Sequence, residues 1–163
     1  MQPDEIIAIK QEIIASVCKI ISGLIDDTKR QFERTRQDVI EAPGRMQSRY
    51  DSSKQESGYL ADALQKRLMQ IKGELITIGG VKIDRANTGV VEIGSLIEIT
   101  EEKKKKFYII LLGGGGTIVK NSTLDCTVTV ITPVSPIGKT LMNTTKGDLV
   151  MFGRREMTID SVF

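Results

Sequence analysis

The chain has no histidine and no tryptophan, and only 2 of its 163 residues are cysteine. Without histidine, Ser-His and Cys-His nucleophile pairs are excluded, and a zinc centre loses its usual nitrogen ligand. Cys18 falls in a helical pattern and Cys126 in a strand-like run, and neither has a second cysteine at ligand spacing. No catalytic residue and no metal site are therefore expected. No apolar run approaches the roughly 18 residues that cross a bilayer, and the acidic start at Asp4 and Glu5 lacks the basic and hydrophobic regions of a signal peptide. A cytoplasmic location without membrane contact is the expectation. Net charge is also scarce: 23 Lys and Arg against 21 Asp and Glu leave +2, which gives no reason to expect strong nonspecific binding to nucleic acid. Gly113 to Gly116 lacks a Gly-Lys-Ser/Thr ending and a following amphipathic helix, so it reads as a flexible turn rather than a phosphate loop. No cofactor is expected.

What is present is helical punctuation. Ala42-Pro43-Gly44 interrupts two long periodic stretches. Pro43 removes a backbone donor and Gly44 tolerates left-handed angles, so a fold-back into an antiparallel helical hairpin is predicted there. On the outward leg Ile6, Ile9, Ile13, Val17, Ile20, Leu24, Thr28, Phe32, Thr35 and Val39 step by three or four. Leu60, Leu64, Leu68, Ile71, Leu75 and Ile78 repeat the pattern on the return leg. Pro3 suits a first helical position, and Asp4 and Glu5 suit the positive end of a helix dipole. From Asp26 to Glu41 charge replaces much of the aliphatic stripe, and Ser48 to Glu56 is equally polar, so the distal half is expected to be thinly packed. A leg of roughly thirty residues reaches on the order of 45 Å. The hairpin is assigned to residues 1–79, with its tip near 42–48.

After Gly79-Gly80 the period changes. Val90 to Ile93, Leu96 to Ile99, Phe107 to Leu112, Thr127 to Ile131, Leu149 to Phe152 and Met157 to Val162 are short β-rich runs separated by glycine, charge or proline. They predict a small antiparallel sheet over residues 80–163. A short helix fits Pro136 to Met142, with Ser135 as N-cap and Pro136 at the first helical position. The fold class is therefore α+β. Lys103 to Lys106, preceded by Glu101 and Glu102, reads as a solvated hairpin connection.

The segment Ser135-Pro136-Ile137-Gly138-Lys139-Thr140-Leu141-Met142, followed by Lys146-Gly147-Asp148-Leu149-Val150, resembles the signature of the C-terminal domain of the Gre transcript-cleavage factors. Gly94-Ser95-Leu96-Ile97 resembles that domain's first strand, and Tyr50 to Tyr59 resembles the stretch after the family's hairpin tip. The resemblance implies an FKBP-like sheet domain behind a coiled coil. It further implies binding in the secondary channel of RNA polymerase, with Ser135, Pro136 and Ile137 meeting the channel rim.

The tip departs from that pattern. Gre factors resemble one another in two tip carboxylates that help hold a magnesium ion in the polymerase active centre, whereas Pro43 to Arg49 contains no carboxylate. The resemblance therefore implies a channel-binding transcription factor, not itself an enzyme, that lacks the cleavage acids. A rival reading keeps cleavage stimulation through Asp51 or Glu41. The tip residues singled out are Arg45, Met46, Arg49 and Asp51. Two readings stand for Arg45 and Arg49: guanidinium contact with the RNA 3′ end, a nucleotide or polymerase carboxylates, or plain solubilising charge. Met46 either anchors a partner or fills the turn.

Two further rivals leave transcription. An FKBP-like prolyl isomerase needs an aromatic pocket, for which Phe107, Tyr108, Phe152 and Phe163 are few. A protein-interaction adaptor would use the helices as an interface, and Ile7, Ile14, Ile21 and Ile25 beside the main stripe offer a second apolar contact, with the sheet or with a second copy.

Overall fold

The structure is a computed structural model that describes residues 2–41, 48–83 and 89–163, leaving aside the side chains of 48–54. Helix α1 runs Pro3–Glu41 and α2 runs Ser48–Gly79. Six strands follow, β1 Leu96–Glu101, β2 Lys104–Ile110, β3 Ile118–Asn121, β4 Cys126–Ile131, β5 Leu149–Phe152 and β6 Arg155–Val162, with the short α3 Pro136–Leu141 between β4 and β5. The chain is α+β.

The chain divides into two compact units, one of residues 20–73 and one of residues 1–19 with 74–163. The first holds the second half of α1 and most of α2. There Phe32 and Arg36 share a recess with Ala61, Asp62 and Gln65. Were the helices parallel, the end of α1 would stand about 14 Å beyond the recess on one side and the start of α2 about 20 Å beyond it on the other. The six intervening residues span at most about 25 Å, so the legs run antiparallel. Packing in this unit is thin: Ile21, Thr28 and Ile71 are buried, but Phe32, Thr35, Val39, Leu64 and Leu68 are only half-buried. Ile20 and Leu24, expected in the stripe, are exposed, and Ile21 takes the inner position.

In the second unit the strand order is β3-β4-β2-β1-β6-β5. Four of its ladders are antiparallel, as the alternating runs lead one to expect, and β2 pairs with β4 in parallel. That pair forms because the β3–β4 hairpin inserts β4 rather than β3 beside β2. Strand β3 was absent from the expected set, since Ile-Val-Lys-Asn is short and alternates exposed with buried as an edge strand does. Conversely, the Val90 to Ile93 run makes only a bridge from Val90 to Thr145, because the chain turns at once: the Ser95 amide donates to the Glu92 carbonyl.

Each face of the sheet carries apolar residues by the two-residue alternation of strands. Ile97, Ile99, Ile110, Ile131, Met157 and Ile159 form one core with Leu141 of α3. On the opposite face Leu96, Ile109, Val119 and Val128 are buried, and Asn121 Nδ2 donates to Glu12 Oε2 at 3.0 Å, bringing the first turns of α1 there. Ile6, Ile9, Ile13 and Val17 are the buried stripe of those turns. The Gly113 to Gly116 loop is not a free turn: the Gly114 amide donates to Glu74 Oε2 at 3.1 Å, and a Cβ on Gly113 would lie 3.1 Å from Glu74 Cβ. It is a seat for the root of α2.

Candidate partner-docking site

Each residue of the α3 segment has a local reason. Ser135, extended at φ −67° and ψ 153°, accepts from the Gly138 amide at 3.1 Å and donates to the Thr132 carbonyl at 2.7 Å. One hydroxyl thus caps the helix and ties it to the preceding chain. Pro136 takes the first helical position, where no N–H is needed. Gly138 is obligatory, since a Cβ there would sit 1.9 Å from the Thr132 carbonyl oxygen. The helix stops at Met142, whose amide donates to Gly138, and the next residue, Asn143, is left-handed at φ 63°. The Lys-Gly-Asp turn follows the same logic. Gly147 is left-handed at φ 91°, and Asp148 Oδ2 accepts from the Thr145 amide at 2.7 Å and the Thr145 hydroxyl at 3.1 Å.

Of the three residues expected to meet a partner, Ser135 spends its hydroxyl on the cap and Ile137 packs half-buried against the core. Pro136 is exposed. Beside it Val134 is 77% exposed, an apolar side chain whose exposure no local sequence signal marks. The surface on offer is therefore Val134 with Pro136, on a loop fixed from both sides.

The tip residues Arg45 and Met46 lie outside the described residues. Arg49 and Asp51 fall in the first turn of α2, and their side chains are likewise outside. Glu41 ends α1 exposed and accepts from Gln37 Nε2 at 2.5 Å. Among the described residues no group of three or more His, Cys, Asp or Glu could hold a metal ion. Neither thiol is activated: burial pushes Cys18 up, and burial with nearby Asp125 and Glu98 pushes Cys126 up.

The lysine run proves to be strand rather than loop. Only Glu102 and Lys103 make the turn, both left-handed at φ 49° and 65°, and Lys104 to Lys106 open β2. Lys105 Nζ pairs with Glu98 at 2.6 Å, and Lys106 pairs with Glu101, which Arg155 also holds at 2.9 Å while stacking 5.5 Å from the centre of Phe152. Glu101 is 4% exposed, and the Lys106 hydrogen bond leads in keeping its carboxyl below the ordinary value. These charges cross-link the sheet.

The fold and site define an α+β protein with two long helices, a mixed sheet and a rigidly capped apolar loop. No family model matches the chain, and no curated protein matches it. Among solved structures it is similar to GreA factor homolog 1 (Gfh1) of Thermus thermophilus, at 13% identity over 91% of this chain and 95% of that one, with a TM-score of 0.37. It is also similar to a structure of the transcription factor Gfh1, at 15% identity over 90% of this chain and 93% of that one, TM-score 0.38. Thermus aquaticus Gfh1 matches at 14% identity over 91% and 94%, TM-score 0.36. No helix among the described residues is long and apolar enough to cross a membrane.

Proposed function

We propose that the protein binds RNA polymerase in its secondary channel, docking through the loop before α3 and modulating transcription without stimulating RNA cleavage. It acts as a binding protein rather than an enzyme. The observation that carries this reading is the α3 segment, where the residues of the Gre-like signature have specific structural work: Ser135 caps, Gly138 admits the Thr132 carbonyl, and Asp148 closes the following turn. Such a cap leaves Val134 and Pro136 rigidly presented, and a preordered apolar loop loses little entropy on docking. The absence of carboxylates from Pro43 to Arg49 supports the lack of cleavage.

A pull-down with core RNA polymerase tests the docking. Wild type is expected to be retained and Val134→Glu with Pro136→Glu to be lost while the circular dichroism is unchanged; a wild-type chain that is not retained defeats the proposal. Backtracked complexes with magnesium separate the rival. RNA shortening that disappears on Asp51→Ala would restore a cleavage factor.

A further inference from the structure

The parallel ladder between β2 and β4 begins only at Phe107 opposite Val128. Before that point β2 is paired to β1 and β4 to β3, so the two strands part and a recess of about 650 Å³ opens between them. Register places Lys106, Tyr108, Lys120, Thr127 and Thr129 on one face and Lys105 on the other. Tyr108 lies opposite Thr129, and Thr127 lies opposite Lys120. Lys106 follows the same alternation as Tyr108, two residues along β2. This is the face of the Ile97 core, at the end away from α3, where Ile118 is 62% exposed.

The recess holds an unspent set of polar groups. Lys105 and Lys106 are neutralised by Glu98 and Glu101. Among the described residues, no side-chain partner is seen for the Lys120 ammonium or the Thr127, Thr129 and Tyr108 hydroxyls. The recess is also of the size that small-molecule sites occupy, about 300–1,000 Å³. The charges decide the class of ligand. Lys105, Lys106 and Lys120 against Glu98, Glu101 and Asp125 sum to zero, so no extended positive field exists for a nucleic-acid strand, whose binding needs several phosphate contacts. Asp125 lines the same recess, but no ion pair joins it to Lys120 among the described residues, so Lys120 with two flanking hydroxyls suits one phosphate, and the ring of Tyr108 suits a planar group beside it.

We infer that the cleft between β2 and β4 binds a small organic monophosphate carrying an aromatic ring. The phosphate meets Lys120, Thr127 and Thr129, and the ring lies against Tyr108. Lys120 stands exposed on the edge strand and Thr129 offers a hydroxyl on the face, so both can be changed without opening the core.

An amide-resonance NMR titration of the full chain with adenosine 5′-monophosphate tests this, with adenosine and inorganic phosphate titrated separately. The nucleotide should shift the resonances of Tyr108, Thr127 and Thr129 and bind more tightly than either fragment. Lys120→Met should weaken it about tenfold and Thr129→Val severalfold, each with an unchanged melting temperature. Shifts that miss these residues, or binding equal in wild type and Lys120→Met, overturn the site. Inorganic phosphate binding as tightly as the nucleotide overturns the role of the ring.

Discussion

Lys10 is the side chain in α1 whose burial has the plainest thermodynamic consequence. It lies in the buried stripe between Ile9 and Ile13 and is 4% exposed. Burial lowers its ammonium from 10.5 to about 8, and the carboxylate of Glu92 opposes that fall without cancelling it. A pH unit is worth about 1.4 kcal/mol, so the charged lysine costs the fold about 3 kcal/mol at neutral pH. The sign follows from linkage. The unfolded chain holds the proton up to its ordinary value of 10.5 while the folded chain releases it near 8. The penalty is therefore complete below about pH 8, shrinks as pH rises, and is gone above about pH 10.5. Lys10→Met keeps the length of the side chain and removes the charge together with its attraction to Glu92. Urea unfolding of both chains, followed by far-UV circular dichroism from about pH 7 to pH 10.5, gives the difference directly. The variant should lead by about 3 kcal/mol at pH 7, and the gap should close toward high pH, leaving only a constant packing offset. A gap that stays flat across this range refutes the argument, whatever its size at pH 7.

Gly138→Ala drives a methyl group into the Thr132 carbonyl, and should cost about 3 kcal/mol or more, read as a fall in the melting temperature of the sheet unit. Ser135→Ala removes the α3 cap for about 1 kcal/mol, and Ser135→Thr, whose hydroxyl can both accept from Gly138 and donate to Thr132, should restore most of it, both measured by chemical denaturation. Replacing Glu102 and Lys103 by Asn and Gly gives the two-residue turn the side chains its left-handed angles favour, and should stabilise by about 1 kcal/mol, with a melting temperature several degrees higher.

What could be read in advance was what local chemistry decides. Ser135 and Pro136 announce α3 because cap and first-turn preferences act within a few residues, and the apolar steps of α1 and α2 announce helices because the period is intrinsic. The rest depends on neighbours distant in the chain. Nothing in Gly113 to Gly116 reveals Glu74 as its occupant, forty residues earlier. The lysines of β2 look solvated until cross-strand pairing sets Glu98 and Glu101 beside them. The parallel β2–β4 ladder follows from where a hairpin inserts, and the short alternating Ile118–Asn121 carries too weak a signal to be distinguished from loop. In the candidate site the cap was legible and the exposed face of Val134 was not, since exposure is settled by the fold around it.

Burial along α1 is graded, from Ile13 and Val17 at 0% exposure to half-buried Phe32 and Val39. Such a helix unzips from one end. Amide protons near Val39 will exchange through cheap local fraying, whereas those near Ile13 must wait for the sheet unit itself to open. Heating will therefore melt the far end of the helix while its root still holds native structure, and a protease will clip the one long before it reaches the other.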